Sequence, residues 1–336
     1  MTQKTWLITG SGNGLGRDIA EAALKAGDNV VAGARRTEEL ASLLAQYGKR
    51  VKPVTLEVRD ETAAKAAVQL AVDTFGRLDV LVNNAGYGQF APFEQMSAED
   101  FQDVVDTCFY GVVYTTRAAI PVMRKQKSGH IFQVSSVGGR MAVAGNTPYH
   151  AAKWAVGGFS DSLAMEVAPF GVKVCTLEPG GIRTNWARRA GQNAPDLLPE
   201  YEASVGPILK MRRSLEGRWE GDPRKIGDVI VQLSNSSEVP LRLILGVTRK
   251  SVCAKWKPRA QARPRNGGTS LYQQCSMTRC FNIAIKPAHN YPYAIDLTEI
   301  IWRRKRDSNP RNPFEFNGFQ DRRFQPLTHS STSYSI

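Results

Sequence analysis

Apolar residues gather along the chain in seven short, near-continuous runs: Lys4–Thr9, Asn29–Ala34, Val51–Val58, Leu78–Val82, Gly129–Ser136, Val172–Glu178 and Leu241–Gly246. Short runs that are apolar on both faces are what a strand covered on both sides requires. Between them lie longer stretches of helical composition: Arg17–Ala26, Thr37–Tyr47, the alanine-rich Glu61–Phe75, Ser97–Met123 and the stretch carrying Tyr149. Strands alternating with helices, each crossover right-handed, predict an α/β fold. It is a Rossmann-type doubly wound parallel sheet of about seven strands with helices on both faces. The alternation stops at Leu245-Gly246. From Val247 onward there is no apolar period, and Pro, Arg, Asn and Ser are frequent. Residues 1–247 are therefore expected to form one domain, and residues 248–336 a basic, disordered tail.

Charge changes that picture only in the tail. The 336 residues carry a net +13, but residues 248–336 hold sixteen Lys/Arg against five Asp/Glu, which leaves +2 on residues 1–247. A nucleic-acid arm centred on Arg303–Arg306 is one reading of the tail, and an unselected segment is the other. The second is favoured, so nucleic acid is not the expected partner. Asp307-Ser308-Asn309-Pro310 can be encoded by DNA whose reverse complement resembles the T-arm of a transfer-RNA gene. That suggests a reading frame lost near Gly246 and translation through neighbouring DNA. The five cysteines make neither a disulfide framework nor paired C-x-x-C sets, so no metal is expected and a reducing cytoplasm is the expected setting. Met1–Gly10 enters an apolar strand without a basic leader, and no run approaches a membrane span, so neither a signal peptide nor a membrane partner is expected.

The chemistry sits at the ends of the apolar runs. The first opens into Gly10-Ser11-Gly12-Asn13-Gly14-Leu15-Gly16, followed by a helical stretch. A strand, a glycine-rich turn and a helix N-terminus make a site for a dinucleotide pyrophosphate. The second ends at Ala34-Arg35-Arg36, where a cofactor lacking a 2′-phosphate would call for an acidic residue. A small residue leaves room there and a guanidinium can pair with the phosphate, so NADP(H) is expected in preference to NAD(H), through Arg35, with Arg36 read as solvated. Ser136 closes the fifth run, and Tyr149 and Lys153 follow at a spacing that puts both on one face of a helix. An ammonium beside a phenol favours phenolate, and a Ser hydroxyl can polarise a carbonyl. Tyr-x-x-x-Lys alone is a weak signal; it gains force because the rest of the chain supplies a cofactor site.

Taken together, Thr9-Gly10-x-x-x-Gly14-x-Gly16, Asn83-Asn84-Ala85-Gly86, Ser136, Tyr149-x-x-x-Lys153 and Pro179-Gly180…Thr184 stand in the order found in the short-chain dehydrogenase/reductase family. Residues 4 to about 247 closely resemble it, most of all its NADP-preferring members. The resemblance implies an oxidoreductase moving a hydride between NADP(H) and an alcohol, ketone or aldehyde. Tyr149 would be the acid/base, Lys153 would lower its pKa and hold the nicotinamide ribose, and Ser136 would orient the substrate oxygen. Pro179, Gly180, Ile182 and Thr184 would hold the carboxamide end, and Asn84, Ala85, Gly86, Glu57 and Val58 the adenosine half. A homodimer or homotetramer would fit the family. Two departures stand out: Glu57 occupies a position usually Asp, and Cys108 stands where relatives usually carry an Asn that serves a proton relay. The second keeps an alternative open, a catalytically impaired relic that only binds nucleotide. Trp186, Leu197, Leu198, Tyr201, Ile208 and Met211 either shape an apolar pocket or simply pack. His150 is expected at the surface or in packing, because a helical neighbour of Tyr149 points elsewhere.

Overall fold

A computed structural model describes residues 3–192 and 194–246. The expectations for the tail lie outside the described residues. The seven strands are β1 (Thr5–Thr9), β2 (Asn29–Ala34), β3 (Val51–Thr55), β4 (Val80–Asn83), β5 (Gly129–Val134), β6 (Val172–Pro179) and β7 (Arg242–Leu245). They form one sheet in the order β3-β2-β1-β4-β5-β6-β7, and every neighbouring pair is parallel. The order reverses between β1 and β4, which opens a crevice at the carboxyl ends of the strands.

Alternate residues of each strand feed two separate cores. Trp6, Ile8, Val30, Ala32, Val80 and Val82 face helices α1 (Gly14–Lys25), α2 (Ala41–Tyr47) and α9 (Pro223–Ser234). Leu7, Val31, Leu81 and Ile131 face α3 (Glu61–Phe75), α5 (Gly111–Gln126) and α6 (Thr147–Val167). Period-two alternation with both faces apolar is thus the physical content of the near-continuous runs. Each large side chain buried this way contributes about 1.5–3 kcal/mol. Capping fixes helix starts where the sequence offers an acceptor: Asp60 takes the Thr62 and Ala63 N–H groups of α3, and Asp222 that of Arg224 in α9.

Three strand boundaries shift by two residues or more. The third strand ends at Thr55 instead of Val58, because its neighbour β2 ends at Ala34, whose carbonyl accepts the Leu56 N–H at 2.9 Å. Pro53 is tolerated there because β3 is an edge strand. The fourth begins at Val80, since the Leu78 N–H donates to the Gln126 side chain. The fifth ends at Val134, its last paired position, before a tight turn at Val137–Gly139. The expected helix Ser97–Met123 is α4 (Ala98–Val105), a π-helical turn at Asp106–Tyr110, and α5. That wide turn carries Cys108 into the site described next. The stretch after β6, irregular in the sequence, holds helices α7 (Trp186–Ala190) and α8 (Gly206–Leu215). Among the described residues no helix is long and apolar enough to cross a membrane, and no group of three or more His, Cys, Asp or Glu could hold a metal ion.

Candidate active site

Four strand ends converge on the crevice. After β1 the chain turns at Gly10 and Gly14 with φ of 68° and 58°, the left-handed region that glycine enters without a steric penalty. A Cβ on Gly16 would lie 2.3 Å from the Gly10 carbonyl oxygen, so α1 packs directly on the turn. Among the described residues no side chain caps α1, which leaves its first N–H groups open to an anionic ligand. The loop after β4 is stitched to the same turn. The Thr9 hydroxyl accepts the Asn84 and Ala85 N–H groups, both at 2.9 Å, and the Asn84 amide donates to the Thr9 and Gly10 carbonyls at 3.0 and 3.3 Å.

Most of the residues singled out from the sequence line a single cavity of about 900 Å³: Gly10, Gly12, Asn13, Gly14, Leu15, Arg35, Glu57, Val58, Asn84, Ala85, Gly86, Ser136, Tyr149, Lys153, Pro179, Gly180 and Ile182. Ser11, Gly16 and Thr184 do not line it. Ser11 is fully buried, its hydroxyl donating to the Ile8 carbonyl and its N–H to that of Gly33. Thr184 accepts the Trp186 N–H at the start of α7. At the rim near β2, Arg35 is exposed, while Arg36 is held by Glu39, which the guanidinium keeps below the usual carboxylate range. Arg189 reaches in from α7 and donates to Asn13 Oδ1 at 2.9 Å. Burial, with the charges of Arg35, Arg188 and Arg36, pushes its guanidinium down against the pull of Glu39. This end of the cavity is rich in positive charge. Glu57 turns its carboxylate toward Arg59, accepting the backbone N–H at 3.1 Å.

At the other end stands Tyr149, on the first turns of α6 with its ring against Trp186 at 5.0 Å. Lys153 follows one turn later, 3% exposed, its Nζ donating to the Val134 carbonyl at 2.8 Å and lying 5.6 Å from the Tyr149 ring. The Ser136 hydroxyl accepts the Gly138 N–H at 3.0 Å. Burial pushes the Tyr149 phenol up; Cys108 adds to this, and Ser136 and the charge of Arg212 oppose it. The Lys153 ammonium is turned to the Val134 carbonyl and is not among the groups acting on the phenol, so burial sets the direction. Burial likewise lowers Lys153 and raises the Cys108 thiol. Cys108 is fully buried and donates to the Tyr87 carbonyl at 3.2 Å. His150 packs, but on the cavity wall beside Tyr149, so the expectation that it points away from the site is corrected. Its Nε2 accepts the Val143 N–H at 3.1 Å, so Nδ1 carries the proton and donates to Gly138 at 2.8 Å, bracing the loop that holds Ser136.

Of the proposed pocket residues, Trp186, Ile208 and Met211 line the cavity, whereas Leu197, Leu198 and Tyr201 do not. Tyr201 instead donates to Glu94 Oε2 at 2.6 Å. The sequence reading missed Phe90, Asn146, Arg212 and Trp219, all on the cavity wall. Only the fold brings these together, although the Asn-Thr-Pro start of α6 is a helix signal that could have marked Asn146. Asn146 Oδ1 and Trp219 Nε1 are buried without a partner among the described residues. The glycine cradle, the open helix end and these orphaned polar atoms fit a nicotinamide dinucleotide and a polar substrate end.

Comparison with known proteins agrees with this geometry. A family model described as short chain dehydrogenase matches residues 4–195. Oxidoreductase BOA17 of Botryotinia fuckeliana is 48% identical over 244 residues, 72% of this chain and 89% of that protein. A short-chain dehydrogenase structure from Streptomyces avermitilis is 40% identical with a TM-score of 0.68, covering 73% of this chain and 89% of that one. A 3-ketoacyl-(acyl-carrier-protein) reductase from Brucella melitensis, solved with NADH, is 26% identical with a TM-score of 0.61, covering 72% of this chain and 96% of that one. With a parallel seven-stranded sheet and a family match over most of its described length, the chain belongs to the short-chain dehydrogenase/reductase family of oxidoreductases.

Proposed function

We propose that the chain is an alcohol/carbonyl oxidoreductase that prefers NADP(H) over NAD(H), with Tyr149 as its acid/base. One observation carries the reading: a single cavity has Tyr149 and Ser136 on its wall at one end and Arg35 with Arg189 at the other. The phenol that burial holds neutral is a proton donor ready for a carbonyl oxygen. The Ser136 hydroxyl steadies that oxygen as charge develops on it. Lys153, fixed to β5, would hold the ribose end, and Pro179, Gly180 and Ile182, on the cavity wall, would hold the carboxamide. When bound, the nicotinamide gives or takes the hydride. Arg35 and Arg189 would pair with a 2′-phosphate, Arg36 being already engaged by Glu39. Catalysis in a reducing cytoplasm suits the free, buried Cys108 and Cys175. A homodimer or homotetramer is supported by exposed apolar side chains, Trp154 and Met165 on α6 and Tyr110 before α5.

The test is NADPH and NADH binding by the purified chain, then turnover with a panel of ketones and aldehydes. NADPH should bind at least about tenfold tighter than NADH, the scale of one charge-assisted contact, and Arg35→Ala should narrow that gap. Tyr149→Phe should abolish turnover while leaving binding intact. Equal affinities would sink the NADP preference. Binding without turnover by the unaltered chain would favour the second reading, a nucleotide-binding relic, for which buried Cys108 in the relay position is the specific observation.

A further inference from the structure

The cavity contains a guanidinium that the reaction above leaves unused. Arg212, on α8, lies over the Phe90 ring with its Cζ 3.6 Å from the ring centroid, and 5.2 Å from the Trp186 ring that also packs on Tyr149. Its single hydrogen bond among the described residues goes to the Ala187 carbonyl at 3.4 Å, and none of their carboxylates forms an ion pair with it. The two acidic residues on the cavity wall, Glu39 and Glu57, are occupied by Arg36 and Arg59 beside the glycine turn and β3. Arg212 is thus a half-buried cation with aromatic walls and no counter-charge, facing the same space as the catalytic phenol. Burial lowers it only to about 10, so it stays charged at neutral pH.

We propose that Arg212 anchors an anionic group on the substrate, so that the enzyme's substrates are carboxylate-bearing carbonyls and alcohols, oxo acids and hydroxy acids with an apolar body. Leaving a guanidinium half-desolvated costs free energy unless a ligand restores its partner, and a carboxylate offers the bidentate match. Tyr149 and Arg212 both lie within about 5 Å of the Trp186 ring, which places the reacting carbonyl and the carboxylate on one small molecule. Phe90, Ile208 and Met211 supply the apolar contact for what lies between or beside them. In reduction the hydride adds to the carbonyl carbon, the C=O electron pair takes the Tyr149 proton, and the carboxylate keeps its charge throughout on Arg212. This rests on the oxidoreductase reading, and the test separates the two.

The experiment compares matched oxo acids and their methyl esters as substrates with NADPH, in the unaltered chain and in Arg212→Leu and Arg212→Lys. The acids should be favoured by about tenfold or more in kcat/KM, expressed in KM. Arg212→Leu should lose that preference, bringing the kcat/KM of acid and ester to within about twofold of each other, and Arg212→Lys should recover part of it. A purely structural stacking role would lower acid and ester together, and that result, or an unaltered chain indifferent to the charge, overturns the proposal. Should no substrate turn over, tryptophan fluorescence titrated with phenylacetate and with phenylacetamide decides the anchor by itself. Tighter binding of phenylacetate, lost in Arg212→Leu, supports it; equal binding of acid and amide overturns it.

Discussion

Cys108 shows how one side chain sets the limits of this site. Its thiol is held neutral by burial, donates to Tyr87 and lies beside Lys153 and Gly86, where a Cβ would meet Cys108 Sγ at 3.2 Å. A thiol is a weak donor and a weak acceptor, so the position offers little to a proton relay. An amide there can keep the bond to Tyr87 and present an oxygen as well. We therefore expect Cys108→Asn to raise turnover several-fold with KM nearly unchanged, measured at saturating NADPH. No gain, with the fold intact, would mean that the side chain at 108 does not limit the relay. Residue chemistry of this kind was legible in the sequence because Cys108, Ser136, Tyr149 and Lys153 stand at recognisable spacings. Arg212 was not, since α8 reaches the cavity only by folding back across it. Nor was the state of Tyr149 legible: the four-residue spacing to Lys153 does not reveal that Nζ turns to the Val134 carbonyl.

Elements were readable where the apolar period is strong and misread where pairing or packing decides. All seven strands fall where apolar runs predict them, yet their ends follow the partner strand, as β3 follows β2. The π-turn at Asp106–Tyr110 leaves no mark in a helical pattern. Loops have their own logic, visible in Thr9. Its hydroxyl accepts two N–H groups of the Asn84-Ala85 loop, joining the turns after β1 and β4 that face the cofactor cavity. Thr9→Val keeps the shape and orphans both donors, a cost of about 1–3 kcal/mol for each that stays buried. Denaturant midpoints should fall, and NADPH affinity with them; a loss of stability with affinity unchanged would show that the joint does not shape the site. The start of β5 makes a pH prediction. Burial, aided by Lys173 and Lys4, lowers His130 to about 4, and its Nε2 is unpartnered. The unfolded chain, with an ordinary value of about 6.5, takes up this proton first as pH falls. Stability is therefore full above about pH 6.5 and declines from there toward pH 4. His130→Asn should flatten the slope between about pH 6.5 and 5, before carboxylates titrate, in denaturation series at stepped pH.

For the whole molecule, what closes the described fold at its C-terminal edge is a charge network on Glu178. This carboxylate is 1% exposed at the end of β6, and Arg140 meets it at 2.6 Å from the loop bearing Ser136. Arg242 of β7 meets it at 3.3 Å and also pairs with Asp161 of α6. Three segments, the Ser136 loop, β6 and β7, are thus tied through one buried acid, and α6 joins them through Arg242; no local motif announces Glu178, because its partners come from positions 140 and 242. Removing one partner of a buried pair costs about 3–5 kcal/mol, since the remaining charges stay desolvated. Both arginines are partly open to solvent, so Glu178→Gln should fall at the low end of that range. For a domain of this size each kcal/mol corresponds to about 2–4 °C in Tm. The loss should not be uniform. Among the described residues β7 is an edge strand with one neighbour, so its amides should exchange faster in the variant than those of β1 and β4 at the sheet's centre. Arg242→Gln should loosen the same strand, and combining the two should cost less than their sum, because each removes the other's partner. Strictly additive losses, or exchange accelerated equally across the sheet, would show that Glu178 does not hold β7 in place.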